Sequence, residues 1–177
     1  KAGTRRLATH AAPIFIGGAT NYRQIIQKTS ATMGTVPSLR TCMGAGEHLS
    51  YDMLSEWRTR FGMEIFEAVG MSEFSYYLSQ SIHRPIRAGS AGFPQPGHDI
   101  QLSDPETLQP VLLGEAGMSA APESDTGLLL GYWKMADDTE KYLHVTDFVT
   151  ADSRRIDGEW CVWFVPSQET PTHTCEA

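Results

Sequence analysis

The first 80 residues alternate between short apolar runs and longer amphipathic segments, and this alternation limits the possible folds more than any other feature. The run Ile14 to Ile16 ends at a glycine pair and predicts a buried strand. Asn21 to Thr29, with Thr20 as N-cap, predicts a helix with Tyr22 on its apolar face. Repeated strand and helix predict a parallel α/β sheet, in which ligands bind at the carboxyl ends of strands.

A second strand and helix continue the pattern. Leu39 to Met43 predicts a strand, and Gly44 to Gly46 after it offers a bare backbone to which a flat ligand can come close. A plain glycine turn is the alternative. Ser50 and Gly62 are the expected N-cap and end of the next helix, which carries Trp57 toward the core.

The segment Ile65 to Gln80, IFEAVGMSEFSYYLSQ, predicts a strand that stops at Glu67, a turn, and the start of a helix. The turn is Ala68 to Gly70, and Ser72 and Glu73 follow it. A hydroxyl and a carboxylate beside a helix N-terminus can hold phosphate oxygens and their magnesium ion. An ordinary helix N-cap is the alternative interpretation.

Beyond Pro85 the pattern changes to glycine, proline and short alternating runs, which predict the strands of a small distorted β-barrel or sheet. The domain organisation expected is a partial α/β subdomain over 1–86, a β-rich subdomain over 87–165, and a disordered polar tail over 166–177. The candidate strands include Ile100 to Leu102, Met118 to Ala121, Leu128 to Leu130 and Trp160 to Val165.

Composition excludes several classes of function. The net charge is -7 and no cluster of basic residues is present, which argues against binding of nucleic acid. No run of eighteen apolar residues exists, so no membrane span is expected. The cysteines, Cys42, Cys161 and Cys175, show no CxxC spacing, so neither a disulfide framework nor a zinc site is indicated. A cytoplasmic location fits these features, and the oligomeric state stays open.

Several short motifs stand in one order: GAGEHL from Gly44, VGMSE from Val69, GSAGFPQPG from Gly89, GLLLGYW from Gly127, and the acidic Asp147. This order, over roughly Pro13 to Val165, resembles the adenylate-forming (AMP-binding) superfamily of acyl- and aryl-CoA synthetases, luciferases and peptide-synthetase adenylation domains. The motifs are most similar to the aryl- and short-acyl-CoA branch, which includes benzoate-CoA ligases. On this resemblance the chain is an internal fragment of the large N-terminal domain.

The resemblance implies an ATP-dependent, AMP-forming ligase that joins a carboxylic acid to coenzyme A, with ATP/AMP, Mg²⁺ and CoA as cofactors or substrates. Ser72 and Glu73 would be catalytic, with Glu73 as the magnesium ligand, and Asp147 would bind the ribose. Ala68, Tyr76 and Tyr77 would line the substrate pocket, although such aromatic residues often serve packing alone. The implied nucleotide-binding residues are Ala45, Gly46, Glu47, His48, Glu67, Ala68, Val69, Gly70, Met71, Ser72 and Asp147.

Some positions depart from the family pattern. Val69 stands where many members carry an aromatic residue against adenine, and Pro166-Ser167 stands where a Gly-Arg hinge is usual. The family's phosphate-binding loop and catalytic lysine domain are not part of this sequence, so the chain alone is expected to be inactive. A peptide-synthetase adenylation domain and a non-catalytic relic that binds a nucleotide or a partner are the alternatives.

Overall fold

The structure is a computed structural model, and it describes residues 2–47, 49–142 and 147–165. Its elements follow in chain order: α1 (Ala2–Thr9), β1 (Ile14–Gly17), α2 (Ala19–Lys28), a 3₁₀ turn (Met33–Thr35), β2 (Thr41–Ala45), α3 (Tyr51–Phe61), β3 (Ile65–Met71), β4 (Ser75–Ser79), β5 (Ser90–Pro94), β6 (Gln101–Ser103), β7 (Ala116–Pro122), α4 (Ala136–Tyr142), β8 (Asp147–Ile156) and β9 (Val162–Phe164).

The strands form a nine-stranded sheet in the order β1-β2-β3-β4-β5-β9-β8-β7-β6. The pairs β1 with β2 and β2 with β3 are parallel, and the named strand pairs from β3 onward are antiparallel. The predicted α/β class is confirmed. In the described part of the chain the β-rich portion stays an open sheet and does not close into a barrel. The division at residue 86 stays a prediction.

Helices α2 and α3 pack on the parallel strands and form the first core. Tyr22 and Trp57 meet edge to face with ring centroids 4.9 Å apart, and the Tyr22 hydroxyl donates to the Met43 carbonyl at 2.7 Å. Trp57 is 1% exposed, as predicted. Burial raises the pKa of Cys42 to about 12, so its thiol stays protonated and is a core group without nucleophilic character.

The ends of α3 follow the sequence closely. The Ser50 hydroxyl accepts from the Met53 N–H at 3.4 Å, and Gly62 adopts the left-handed conformation at φ 66°. Both predicted ends of this helix are therefore confirmed.

Several other predicted boundaries are wrong. Helix α2 begins at Ala19 with Gly18 as N-cap, so Thr20 lies inside its first turn. Strand β2 starts at Thr41, two residues after the predicted Leu39, because the Leu39 N–H donates to the Val36 carbonyl at 3.0 Å in the preceding turn. Leu128 to Leu130 lie in a loop and not in a strand. The Leu129 N–H donates to the Glu73 carbonyl at 2.7 Å and so holds this loop on the β3–β4 turn.

The largest correction concerns the predicted helix after Gly70. Strand β3 continues through Ala68 to Gly70 and ends at Met71, and the tyrosine pair lies in the antiparallel strand β4. The Phe74 N–H donates to the Met71 carbonyl at 3.2 Å and closes a tight turn. A β-hairpin with strand-favouring aromatic residues therefore replaces the predicted helix N-terminus.

Buried residues from β4, β5, β6, β7, β8 and β9 form the second core. Phe74 and Tyr77 stack with centroids 4.8 Å apart, and both are almost fully buried. None of the helices in the described part of the chain has the length and apolar character that crossing a membrane requires.

Arg60 of α3 satisfies the C-terminal end of α2. Its guanidinium donates to the carbonyls of Ala31 and Ile26, each at 2.6 Å, and also to the Thr29 carbonyl. The last carbonyls of a helix have no partner within the helix, so one side chain here replaces several missing hydrogen bonds.

We therefore expect Arg60→Met to lower the free energy of unfolding by about 1 to 3 kcal/mol, the usual cost of leaving such polar groups unpaired. Urea denaturation followed by circular dichroism measures this change. Arg23→Met is the matched control, because Arg23 is exposed on α2. Equal losses in the two variants would contradict the capping role.

Asp157 holds the turn between β8 and β9. Its Oδ1 accepts from the N–H groups of Glu159 and Cys161 at 2.9 and 3.0 Å. Its Oδ2 accepts from the Trp163 indole at 2.8 Å and from Arg87 at 2.6 Å. Although burial raises the pKa of this carboxyl, the bonds from Trp163, Cys161 and Arg87 outweigh that effect and hold it below its usual value.

A lowered pKa in the folded state means that this carboxylate stabilises the fold above the unfolded pKa of about 4. The contribution is lost as the pH falls through the lower folded value. We expect Asp157→Asn to be less stable than the parent at pH 7 and to lose less stability between about pH 4 and 2. Unfolding titrations across this range test it. Asp99→Asn is the control, because Asp99 is exposed, and its free energy of unfolding should change with pH as that of the parent does.

Candidate functional site

The carboxyl ends of β2 and β3 lie side by side and bring two of the sequence motifs together. Gly44 pairs with Glu67 and Ala45 with Ala68 in parallel register. The turn after β2 then carries Gly46 and Glu47 over the end of β3. This is the edge of a parallel sheet at which ligand sites are expected.

A cavity of about 160 Å³, called here the glycine cavity, opens between these strand ends. Gly46 has a positive φ of 82°, and a Cβ built on it would meet nothing within 4 Å, so its backbone borders open space. Gly44 differs, since a Cβ there would lie 2.4 Å from Leu49 Cδ1 and the missing side chain serves packing. The lining residues are Gly44, Gly46, Glu47, Glu67, Ala68, Val69, Gly70, Arg154 and Phe164.

A second cavity of about 340 Å³, called here the hairpin cavity, adjoins the first along Gly46 and Gly70, which line both. It runs along the β3–β4 turn, and its lining residues are Ala45, Gly46, Gly70, Met71, Ser72, Ser75 and Tyr76. Together the two cavities are lined by nine of the eleven predicted nucleotide-binding residues. The other two are His48 and Asp147. His48 lies outside the described residues, and so does the side chain of Asp147.

Backbone N–H groups engage two of the acidic residues. The Glu67 side chain is buried, and its Oε1 accepts from the Leu49 N–H at 3.1 Å. The Glu47 carboxylate accepts from the Thr20 N–H at 3.0 Å and from the Thr20 hydroxyl at 3.1 Å, at the start of α2. A carboxylate at that place also complements the helix dipole. Both side chains therefore shape the cavity walls and stabilise the fold.

Ser72 and Glu73 lie in the β3–β4 turn. Ser72 is exposed and lines the hairpin cavity, whereas Glu73 lines neither cavity. The Glu73 Oε1 accepts from the Tyr132 hydroxyl at 2.8 Å, and the Glu73 carbonyl accepts from the Leu129 N–H at 2.7 Å. The helix N-terminus that the sequence suggested as the anion-binding element is absent from this turn, so any phosphate contact would use side chains and turn amides.

The tyrosine pair is split between two environments. Tyr76 is 48% exposed and lines the hairpin cavity, while Tyr77 is fully buried in the second core against Phe74. Alternation along a strand sends neighbouring side chains to opposite faces. The structure therefore leaves Tyr76 accessible to a ligand and gives Tyr77 a packing position.

Three residues near the site were given no role by the sequence analysis. Arg154 of β8 is 2% exposed, and its guanidinium carbon lies 4.4 Å from the centre of the Phe164 ring of β9. Both residues line the glycine cavity. Tyr132 reaches Glu73 from a loop 59 residues away. Tyr132 belongs to the GLLLGYW motif, which could have drawn attention to it. For Arg154 and Phe164 the sequence offers no signal beyond the alternating pattern of a strand.

The donor set around Glu73 is small. In the described part of the chain no group of three or more His, Cys, Asp or Glu side chains is placed to hold a metal ion. Magnesium commonly binds proteins through one or two carboxylates, with water and substrate phosphates completing its shell. A single carboxylate beside the Ser72 hydroxyl therefore fits magnesium that arrives with a phosphate ligand, and it does not fit a metal held by the protein alone.

Comparison with known proteins gives consistent matches. The sequence model described as AMP-binding enzyme matches residues 5–133. A mouse acyl-coenzyme A synthetase, ACSM3, is 28% identical over 154 residues, which are 86% of this chain and 26% of that protein. Benzoate–CoA ligase of Thauera aromatica is 29% identical over 150 residues, 78% of this chain and 28% of the ligase. The chain thus spans about a quarter of the length of these relatives.

Solved structures share the fold. Apo MatB from Rhodopseudomonas palustris superposes with a TM-score of 0.81 at 24% identity, over 91% of this chain and 32% of that one. A benzoate CoA ligase from Burkholderia xenovorans LB400 superposes with a TM-score of 0.80 at 24% identity, over 90% of this chain and 32% of that one.

Gly70 determines the shape of the site, because a Cβ on it would lie 2.2 Å from the Ser75 carbonyl oxygen across the hairpin. We expect Gly70→Ala to lower the free energy of unfolding by about 1 to 3 kcal/mol through overpacking against backbone that cannot move alone. Chemical denaturation measures this. In Gly158→Ala the new Cβ meets nothing within 4 Å, so this control should be neutral or slightly stabilised. A neutral Gly70→Ala would contradict the close approach.

Proposed function

Because this chain belongs to the AMP-binding enzyme family, we propose that it forms the nucleotide- and acyl-binding part of an AMP-forming acyl- or aryl-CoA synthetase. Such an enzyme activates a carboxylic acid with ATP to an acyl-adenylate and then transfers the acyl group to coenzyme A. Two relatives named above are an acyl-coenzyme A synthetase and a benzoate–CoA ligase, which favours this function over that of a peptide-synthetase adenylation domain.

The observation that supports the proposal is the convergence of the predicted residues on two adjoining cavities. Residues from Ala45 to Ser72 line the two cavities, which share Gly46 and Gly70 at the carboxyl ends of β2 and β3. The residues implied by the sequence motifs thus share adjoining cavities, which supports their proposed role. A non-catalytic role in nucleotide binding would use the same cavities.

Each part of the two cavities has a proposed role. The purine lies in the glycine cavity, where the bare backbone of Gly46 permits close approach and Val69 packs on the ring face. The Ser72 hydroxyl binds a phosphate oxygen. Ala68 and Tyr76 border the acyl group, and Asp147 binds the ribose hydroxyls.

Magnesium would neutralise phosphate charge as the carboxylate oxygen attacks the α-phosphate and pyrophosphate leaves. We propose Glu73 as its protein ligand, with Ser72 beside it. These residues orient the phosphates, and catalysis of this class depends chiefly on such positioning. The expected cytoplasmic location and the identity of the acid stay predictions.

Calorimetric titration of the 177-residue chain tests the proposal. We expect AMP to bind with or without magnesium, and ATP to bind more tightly when magnesium is present. Glu73→Gln should weaken magnesium-dependent ATP binding by about tenfold, which corresponds to about 1.4 kcal/mol, and leave AMP binding unchanged. Failure of the parent chain to bind AMP or ATP would refute a nucleotide site.

The same preparation should not catalyse exchange of labelled pyrophosphate into ATP when carboxylic acids are added. The chain spans about a quarter of the relatives' length, and removal of even one transition-state donor typically slows an enzyme about a hundredfold to a thousandfold. Acid-dependent exchange above that of Glu73→Gln would show that these residues suffice for the first half-reaction.

A further inference from the structure

The loop between β7 and α4 docks on the β3–β4 turn through Glu73. It makes two contacts, one from the Leu129 N–H to the Glu73 carbonyl at 2.7 Å and one from the Tyr132 hydroxyl to Glu73 Oε1 at 2.8 Å. The first contact fixes the backbone of the turn. The second fixes the carboxylate itself.

The beginning of this loop is anchored independently of Tyr132. His98 Nδ1 lies 2.9 Å from Asp125 Oδ2, and the Asp125 side chain is 1% exposed. Asp125 Oδ1 also accepts from the Gly127 N–H at 2.8 Å. The His98 ring packs edge to face on Phe74, with centroids 5.1 Å apart, so the anchor rests on the same hairpin.

The end of the loop is anchored as well. The Tyr132 N–H donates to the Thr139 hydroxyl at 2.8 Å, and Thr139 lies in α4. The Thr139 hydroxyl also donates to the Met135 carbonyl at 2.9 Å. The backbone of Tyr132 is thus held from one side while its ring reaches Glu73 on the other, and the phenol oxygen has a defined position.

We propose that Tyr132 is a positioning residue for Glu73, an inference that rests on the proposed function. Glu73 is only partly buried in the turn, so its side chain can sample several rotamers, and a hydrogen bond to Oε1 selects among them. In the described part of the chain Glu73 Oε2 accepts no hydrogen bond, so it is the oxygen left for magnesium. Partners of this kind orient metal ligands, and their loss typically weakens metal binding about 10- to 100-fold.

Tyr132→Phe removes only the hydroxyl and separates positioning from folding. The ring stays, and the Leu129 contact and the His98–Asp125 anchor are untouched. The quantity to measure is the gain in ATP affinity that magnesium produces, obtained by calorimetry with Mg²⁺ and with EDTA. We expect Tyr132→Phe to reduce this gain about tenfold, with AMP affinity and the unfolding midpoint unchanged.

Two further variants sharpen the test. Tyr51→Phe removes a hydroxyl from a tyrosine that is 72% exposed on α3, and it should behave like the parent. In a Glu73→Gln background, Tyr132→Phe should have little additional effect on the magnesium-dependent gain, because Tyr132 acts through Glu73. Such a double-mutant cycle reports the coupling of the two side chains directly.

The outcomes distinguish the inference from the function it rests on. A parent-like magnesium gain in Tyr132→Phe would overturn the positioning role and leave nucleotide binding intact. Equal weakening of AMP and magnesium-dependent ATP binding, or a large fall in the unfolding midpoint, would show a structural role and also overturn it. No binding of AMP or ATP by the parent would overturn the proposed function and this inference together.

Discussion

The close approach of Gly70 to the Ser75 carbonyl is the contact on which the rest of the structure depends. It lets the chain reverse direction from β3 into β4, and Ser75 adopts a φ of 47° in completing the turn. Before this point the strands are parallel and covered by helices, and after it the named strand pairs are antiparallel. The change of direction places β4 antiparallel beside the end of β3, and the hairpin cavity lies along the turn between them.

The hairpin also makes one segment serve both the fold and the site. Phe74 and Tyr77 point into the second core, whereas Ser72 and Tyr76 face the hairpin cavity. Burial of the two core rings fixes the turn without help from a ligand. Under the proposed role of Ser72, a turn held in this way is preorganised, so part of the entropy of ordering it is already lost in folding.

The features predicted correctly from the sequence are those that local interactions determine. Ser50 and Gly62 end a helix through bonds to residues a few positions away. The motif residues around Gly46 lie at the ends of adjacent parallel strands, and their role in binding stays a prediction. The helix expected after Gly70 was wrong because Ser72 followed by Glu73 fits an N-cap as well as a tight turn. The sequence did not reveal the contact of Arg154 with Phe164, since it depends on pairing between β8 and β9 and on burial, neither of which is encoded in a local pattern.

Under the proposed function, the charges around the two cavities favour one orientation of the nucleotide. Two acidic residues, Glu47 and Glu67, and one basic residue, Arg154, line the glycine cavity. A phosphate there would meet acidic side chains at short range, whereas a neutral purine can donate its amino group to an oxygen of that kind. We therefore propose that the phosphates lie at the Ser72 end, where the neighbouring acid in sequence is Glu73. Because that carboxylate would repel them on its own, the proposed site calls for a cation between Glu73 and the phosphates, and the hydrogen bond from Tyr132 leaves one oxygen of Glu73 to meet it.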